Sequence, residues 1–271
     1  MAISRERKNA ITMPGSQTSP GKSPVQPFLS VVILAYNEEA NLQAQIDDVL
    51  TWFDALEERP QGLWPHDAEL ACGRPVSVGE IVVVNDGSTD ETKKVSRAAE
   101  EADSRVRTVH HTTNLGMGAT VRSGYAVAEG VFVTQLPADG QVGPGSLSVL
   151  LPKLNSSDVV FSVYARRDDG LMRKAMSTGF QWVTRALYQK NGAITGTMMI
   201  RRSLLDLFPT HADTFFANLE LPFRLQRAGI PYEMVEIEAV PRKSGASKVA
   251  NPRRIVRVVG EMVRIRFKHW S

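Results

Sequence analysis

Residues 30–35 read SVVILA, and this run decides the class of fold because it is short, continuously apolar and β-branched at its start. Such a run is typical of a strand that is buried on both faces of a parallel sheet. A helical pattern follows over residues 39–56, and a second buried run, EIVVV, occupies residues 80–84. Residues 30–84 are therefore predicted to form a strand–helix–strand unit.

Strands and helices go on alternating through residue 163. Further strands are predicted at 105–110, 131–136 and 158–163, and further helices at 89–102, 117–129 and 146–154. This alternation predicts an α/β fold with a mostly parallel, doubly wound sheet and helices on both faces. In such sheets ligands bind beyond the carboxyl ends of the strands, where the loops after Ala35, Val84 and Leu136 meet. The remaining pattern gives helices at 171–188, 219–228 and 252–269 and strands at 195–200 and 232–237.

The composition limits the kind of protein. A length of 271 residues with 42% hydrophobic content suits one large domain with at most a small appendage. The net charge of +3 excludes a polycation, and no basic–aromatic platform indicates nucleic-acid binding. Cys72 is the only cysteine, so no disulfide can form within the chain, and an incidental thiol is the favoured interpretation.

Three segments are predicted along the chain. Residues 1–27 are rich in Ser, Pro, Gly and Gln and lack the apolar core of a secretory signal, so we expect a disordered tail. Residues 28–249 form the main domain, and residues 250–271 a basic amphipathic helix. No run approaches the roughly 18 to 20 apolar residues of a membrane-spanning helix. We therefore expect a cytoplasmic protein, either free or peripheral at the membrane.

The loop after the first strand, Ala35-Tyr36-Asn37-Glu38, carries an aromatic ring and a carboxylate. At a strand end these groups can hold a base and a ribose by stacking and hydrogen bonding. Helix capping by Asn37, with Glu38 and Glu39 against the helix dipole, explains the same residues. Taken alone, the loop favours capping.

The loop after the second strand reads NDGSTD over residues 85–90. Gly87 allows a tight turn and a close backbone approach, and Asp86 can accept a hydrogen bond from a base or ribose. Ser88 and Asp90 also suit capping of the next helix. This loop by itself is equally ambiguous.

Two later segments add charge. Asp139, in PADGQ at residues 137–141, ends a strand and offers oxygen to Mg²⁺ or Mn²⁺ beside bound phosphates, although Asp-Gly turns are common. In RKSGASK at residues 242–248, Arg242 and Lys248 bracket a Gly/Ser segment. Such a segment suits a diphosphate, and a solvated basic loop is the alternative.

In combination these motifs resemble the family 2 glycosyltransferases, which have the GT-A fold. The resemblance rests on VVILAYNEEANL, EIVVVNDGSTDET, NLGMGATVRSGYAVAEG, PADGQ and RKSGASK, in the family's order, and it covers residues 29–249. Within the family the sequence looks most like the polyprenyl-phosphate branch, which includes dolichol-phosphate mannosyltransferases. The resemblance implies inverting, cation-assisted transfer of a sugar from a GDP- or UDP-linked donor to a polyprenyl (dolichyl-type) phosphate.

The resemblance also assigns residues to roles. It implies a metal, Mg²⁺ or Mn²⁺, on Asp139 and Gln141, and catalytic roles for Asp139, Glu220 and Arg166. It implies a nucleotide-sugar pocket formed by Ala35, Tyr36, Glu38, Val84, Asp86, Ala138, Asp139, Gln141, Arg242 and Lys248.

The sequence departs from the family's metal motif at Pro137, which replaces its first aspartate. Proline has no side-chain ligand, so Asp139, Gln141 and the two phosphates would have to hold the metal, with water completing the octahedron. A metal-independent enzyme and a non-catalytic sugar-nucleotide binder are the alternatives that this departure raises. Asn85 likewise stands where the family more usually has aspartate.

The choice of acceptor determines which catalytic group is needed. A phosphate acceptor is already an anion and needs cationic guidance, for which Arg166, Arg173 and Lys174 are candidates. A sugar or other hydroxyl acceptor would need a general base, for which Glu220 is the best candidate. The alternatives are a solvated helix start for Arg173 and Lys174, and burial beside a structural arginine for Glu220.

The predicted C-terminal helix raises the question of a membrane partner. It carries a series of arginines over residues 253–266, and Ile255, Val258, Val259 and Met262 share one face. A basic amphipathic helix can lie at an anionic membrane surface, which would suit a lipid-linked acceptor. Packing on the domain with a solvated basic face is the equal alternative.

Overall fold

The computed structural model of the chain describes residues 26–58, 76–164, 171–189, 196–237 and 252–270. The strands are β1 (Gln26–Ala35), β2 (Val76–Asn85), β3 (Val106–His110), β4 (Phe132–Pro137), β5 (Val159–Tyr164), β6 (Met198–Arg201) and β7 (Glu233–Ile237). The helices are α1 (Leu42–Glu57), α2 (Thr92–Ala102), α3 (Met117–Val127), α4 (Pro144–Leu150), α5 (Leu171–Tyr188), α6 (Ser203–Leu207), α7 (Ala217–Arg227) and α8 (Pro252–Lys268). A short 3-10 helix, Leu151–Asn155, follows α4.

The strands form one mixed sheet in the order β3-β2-β1-β4-β6-β5-β7. β1 pairs in parallel with β2 and β4, and β2 pairs in parallel with β3. β6 is antiparallel to both of its neighbours, while β5 and β7 pair in parallel. The expectation of a mostly parallel sheet is confirmed, and β1 lies near its centre.

Helices cover both faces of this sheet, as predicted, because successive side chains of a strand point to opposite faces. On one face, Val31 and Ile33 of β1 pack in a cluster with Ile46 and Phe53 of α1, to which α2 and α4 also contribute. On the other face, Val32 packs with β2, β3 and α3. Towards β5 and β6, that face is covered by α7 and α8.

Several predicted bounds differ from the observed ones. The helix predicted at 146–154 is divided, because the proline at position 152 follows the α-helical turns and the chain tightens into the 3-10 helix. The first helix begins at Leu42 rather than residue 39. β1 begins at Gln26, before the predicted domain boundary at 28. The short helix α6 was not predicted.

The C-terminal helix α8 packs on the domain. Met262 and Ile265 are fully buried in the same cluster as Phe216 and Phe223, and Trp270 beyond the helix end is buried with them. The Tyr188 hydroxyl of α5 donates to the Met262 carbonyl at 2.6 Å. Of the two alternatives for this helix, packing on the domain is therefore observed, and the helix is not a separate appendage.

Candidate functional site

Three loops lie side by side at the carboxyl edge of the sheet. They are the first loop (residues 36–41) after β1, the second loop (residues 86–91) after β2 and the third loop (residues 138–143) after β4. β1 stands between the other two strands, with Ala35 opposite Asn85 and Leu34 opposite Pro137. The predicted convergence of these loops is confirmed.

The first two loops are joined to each other by hydrogen bonds. The Asn37 backbone N–H donates to Ser88 Oγ at 2.9 Å, and the Thr89 backbone N–H donates to Asn37 Oδ1 at 2.9 Å. The Glu38 backbone N–H donates to Thr92 Oγ1 at 2.9 Å. Asn37 adopts a positive φ of 55°, a conformation that asparagine tolerates better than most residues. The two loops are therefore joined directly to each other by three hydrogen bonds.

This arrangement corrects the capping interpretation of Asn37. The residue at the start of α1 is Asn41, and the Asn37 side chain bonds to the second loop instead. At the next helix the N-cap is Glu91, without a side-chain cap bond, so neither Ser88 nor Asp90 is the cap. Asp90 lies one residue earlier, and its Oδ1 accepts the Thr92 backbone N–H at 3.0 Å. Burial raises the pKa of Asp90, but hydrogen bonds from Thr92 and Glu39 outweigh it and hold the pKa below its ordinary value.

Asp86 is buried and held by donors from the protein itself. Its Oδ1 lies 2.7 Å from His111 Nδ1 and accepts the Leu115 backbone N–H at 2.8 Å. Its Oδ2 accepts the Gly116 backbone N–H at 3.0 Å. His111 Nε2 in turn lies 2.9 Å from Ser123 Oγ in α3. Sequence reasoning missed His111 and Ser123, although His111 follows a parallel strand at this same edge.

The start of α3 packs closely on residues 211–214. A Cβ at Gly118 would lie 1.7 Å from the Ala212 carbonyl oxygen, so only glycine fits there. The Gly118 backbone N–H donates to the Asp213 carbonyl at 3.2 Å, and Arg122 pairs with the Asp213 carboxylate. The glycines of NLGMGA thus allow residues 211–214 to approach the backbone segment that holds Asp86.

The third loop places Asp139 just beyond β4. The Asp139 side chain is largely buried, and its Oδ1 accepts the Gln141 backbone N–H at 3.1 Å across a turn in which Gly140 has a φ of 71°. The Ala138 backbone N–H donates to the Leu34 carbonyl at 3.0 Å, which fixes this loop against β1. Within the described residues, no group of three or more His, Cys, Asp or Glu side chains is placed to hold a metal ion.

Residues 30–208, more than half of the chain, match the sequence model of the family described as "Glycosyl transferase family 2". The chain belongs to glycosyltransferase family 2. The matched segment contains all three loops, and the family predicted from the motifs is confirmed.

Two curated relatives are polyprenyl-phosphate sugar transferases by name. The dolichyl-phosphate beta-glucosyltransferase of Trichomonas vaginalis is 31% identical over 134 residues, which are 49% of this chain and 37% of the relative. The undecaprenyl-phosphate 4-deoxy-4-formamido-L-arabinose transferase of Salmonella choleraesuis is 27% identical over 229 residues, which are 82% of this chain and 64% of the relative. The chain thus spans less than two thirds of either relative's length.

Solved structures of glucosyl-3-phosphoglycerate synthase from Mycobacterium tuberculosis share the fold. The complex with Mn²⁺, UDP-glucose and phosphoglyceric acid has a TM-score of 0.63 at 21% identity and covers 88% of this chain and 79% of that one. The complex with Mg²⁺ and UDP has a TM-score of 0.60 at 21% identity, with coverages of 88% and 78%. The predicted GT-A fold is thereby confirmed.

In this family 2 glycosyltransferase, Glu220 lies at the start of α7 and is fully buried. Its Oε2 accepts the backbone N–H groups of His211 and Ala212 at 2.8 and 2.7 Å. Its Oε1 accepts Nη2 and Nε of Arg224 at 2.9 and 3.1 Å. These bonds use both oxygens, which favours the alternative of burial beside a structural arginine over a general base.

The remaining predicted site residues fall into three groups: some lie on the loops, some are buried beneath them, and some are not described by the structure. Tyr36 and Glu38 lie on the first loop, and Tyr36 is 39% exposed. Ala35 and Val84 are buried in the core beneath the loops, where only their backbone atoms could face a nucleotide. Arg166, Arg242 and Lys248 lie outside the described residues, and Arg173 and Lys174 lie in the part of α5 whose side chains are not described.

Proposed function

We propose that this chain transfers a sugar from a nucleoside-diphosphate sugar to a polyprenyl phosphate, with inversion at the anomeric carbon. The observation that carries the proposal is the joined first and second loops beside Asp139, at the carboxyl edge of a family 2 domain. The names of the two curated relatives, which act on dolichyl and undecaprenyl phosphates, support this class of acceptor.

Donor binding is assigned to the three loops. Tyr36 offers an exposed ring for stacking, and Glu38 and Asp86 offer carboxylates to the base and ribose. The loops are held by the protein's own hydrogen bonds, so little ordering is needed when the nucleotide binds. Arg242 and Lys248 are proposed to bind the diphosphate, as the resemblance implies.

A divalent cation, Mg²⁺ or Mn²⁺, fits this site only together with the substrate's phosphates. Asp139 supplies one carboxylate and Gln141 one amide oxygen, whereas Pro137 supplies none. Magnesium is often bound in this way, through one or two carboxylates plus phosphate oxygens and water. When bound, the cation would neutralise charge on the departing diphosphate. Asp139 and Gln141 are the residues proposed to hold it.

The acceptor is proposed to be its own nucleophile. A phosphate monoester is already anionic near neutral pH, so attack on the anomeric carbon needs no general base. Arg166, Arg173 and Lys174 are the cations proposed to guide it. The four hydrogen bonds that the Glu220 carboxylate accepts argue against its use as a general base, and this supports a phosphate over a hydroxyl acceptor.

The outer face of α8 is the part of the described chain that we propose to contact the membrane. Val256, Val263 and Phe267 recur at helical spacing, and Val256 and Phe267 are 72% and 79% exposed although both are apolar. Arg257, Arg264 and Lys268 are also exposed on this helix. Apolar side chains beside cations suit an anionic lipid surface. Every helix in the described part of the chain is too short or too polar to span a lipid bilayer.

The test is transfer of labelled sugar by the full chain. Radiolabelled UDP- and GDP-sugars are incubated with a polyprenyl phosphate in detergent, with Mn²⁺ or with EDTA, and the products are extracted into organic solvent. Label in the organic phase is the expected result. Label only in water-soluble acceptors would support a hydroxyl acceptor. Tight nucleotide binding without turnover under every metal would support a non-catalytic binder, the alternative that Pro137 raises.

The variant Pro137→Asp tests the place of the metal. It restores a carboxylate at the position where the family's motif has one, so the Mn²⁺ concentration needed for half-maximal rate should fall. An unchanged metal dependence would show that the metal is not held at the third loop.

A further inference from the structure

Asp86, His111 and Ser123 form a buried chain of hydrogen bonds that the proposed reaction does not itself require. His111 Nδ1 lies 2.7 Å from Asp86 Oδ1, and His111 Nε2 lies 2.9 Å from Ser123 Oγ. The His111 and Asp86 side chains are 0% and 6% exposed. A carboxylate only accepts hydrogen bonds, so Nδ1 carries a proton and donates it to Asp86. In a neutral ring Nε2 then accepts from the Ser123 hydroxyl.

The hydrogen-bonding capacity of Asp86 is therefore nearly used up. A carboxylate offers about two acceptor sites on each oxygen. On Oδ1 both are taken, by His111 and by the Leu115 backbone N–H. On Oδ2 one is taken, by the Gly116 backbone N–H. Among the described residues, the donors around Asp86 thus leave it a single acceptor site.

We infer that His111 is a specificity-determining residue that makes the nucleotide site select uridine diphosphate. The inference rests on the proposed function, in which Asp86 faces the base. Uracil presents one imide N–H between two carbonyl groups, which matches one acceptor site. Guanine presents two N–H donors on the corresponding edge and needs both oxygens of a carboxylate. Cytosine presents an unprotonated ring nitrogen there, which a carboxylate repels.

His111 acts in this account through Asp86, as a positioning residue, and Ser123 holds the ring of His111. Without the Nδ1–H donor, one acceptor site on Oδ1 would be open to guanine's second N–H. A donor left unpaired against a charged partner weakens binding by about 10- to 100-fold. Because both acceptor sites of Asp86 Oδ1 are occupied, we expect UDP to be preferred over GDP by this factor.

The experiment measures binding of UDP, GDP, CDP and N3-methyl-UDP to the full chain by isothermal titration calorimetry. We expect wild type to bind UDP about 10- to 100-fold more tightly than the other three. Only uracil presents a single N–H donor to the one open acceptor site of Asp86, whereas guanine presents two and cytosine and N3-methyluracil present none. In His111→Leu the preference for UDP over GDP should fall about tenfold. His111→Asn keeps an N–H at the Nδ1 position and should retain the preference.

His110→Leu is the matched control, because His110 is the adjacent histidine and its Nδ1 lies 3.5 Å from the Asn85 side chain rather than beside Asp86. A wild type that binds GDP as tightly as UDP would overturn the inference and leave the nucleotide site standing. Tight binding of N3-methyl-UDP by wild type would overturn the inference in the same way, and this measurement does not depend on whether a variant folds. An unchanged preference for UDP over GDP in His111→Leu would show that His111 does not determine specificity. If wild type bound none of the nucleotides, the proposed function would be overturned as well.

Discussion

Glu261 in α8 accepts the backbone N–H groups of both Asp213 and Thr214, each at 3.0 Å. Residues 211–214 are thus held by α8 on one side and by Glu220 of α7 on the other. They also pack against the start of α3, next to the backbone that binds Asp86. The C-terminal helix is in this way connected to the nucleotide edge through hydrogen-bonded backbone.

Glu261→Ala should destabilise the fold by about 2–3 kcal/mol, because it leaves two backbone N–H groups and the Thr214 hydroxyl without their acceptor. Urea denaturation measures this loss of stability. Glu261→Gln keeps one acceptor oxygen, so its stability should lie between that of wild type and that of Glu261→Ala. Glu101→Ala, at an exposed helical glutamate, is the matched control. A loss for Glu261→Ala no larger than for the control would contradict the anchoring role.

Gly118→Ala should also destabilise, by about 1–3 kcal/mol, since the added Cβ meets the Ala212 carbonyl oxygen at 1.7 Å. Gly260→Ala is the control within another helix, where an added Cβ meets nothing within 4 Å. That change should stabilise by about 0.5–1 kcal/mol, the ordinary gain in helix propensity. Thermal unfolding of both variants checks the prediction, and equal effects of the two would refute the close approach of residues 211–214.

Stability should fall as pH drops below the ordinary histidine pKa of about 6.5. Burial lowers the pKa of His110, and the cations of Arg97 and Lys93 lower it further. A histidine with a lowered pKa in the fold binds fewer protons than in the unfolded chain, so its contribution is fully present above about pH 6.5. It is lost as pH falls towards the folded-state pKa.

Urea denaturation at pH 8 and at pH 5.5 measures this loss, and His110→Asn should make it smaller. Burial and the neighbouring His211 also lower the pKa of His269, so part of the loss should remain in that variant. Asp90 and Asp103 do not interfere, because their lowered pKa values act only as pH falls below about 4. If the free energy of unfolding rose as the pH was lowered from 8 to 5.5, the predicted direction of the pH dependence would be wrong.

Phe267→Ala should weaken binding to anionic vesicles about tenfold if the outer face of α8 meets lipid, because it removes most of one exposed apolar side chain. Co-sedimentation with phosphatidylglycerol vesicles is the measurement, and added salt should weaken binding of wild type as well. Leu207→Ala in α6, at another exposed apolar residue, is the control. Equal weakening by both variants would show that α8 is not the contact.

The sequence predicted the strands well because buried parallel strands are continuous apolar runs, as in SVVILA and EIVVV. It also predicted the edge of the site, since the carboxyl ends of parallel strands share one edge. It did not predict that Asn37 bonds to Thr89, because periodicity reports burial but not which distant residue is the partner. The wrong capping interpretation and the missed His111 have this same cause.

The most direct test compares initial rates of sugar transfer to polyprenyl phosphate by wild type, Asp139→Asn and Asp158→Asn. Asp139 lies at the carboxyl edge beside the joined loops, whereas Asp158 precedes β5 at the opposite edge and pairs with Arg201 at 2.7 Å. We expect a loss of at least about 100-fold for Asp139→Asn, the size seen when a group that stabilises the transition state is removed. For Asp158→Asn we expect a near wild-type rate. A wild-type rate in Asp139→Asn would place the reaction away from this edge of the sheet.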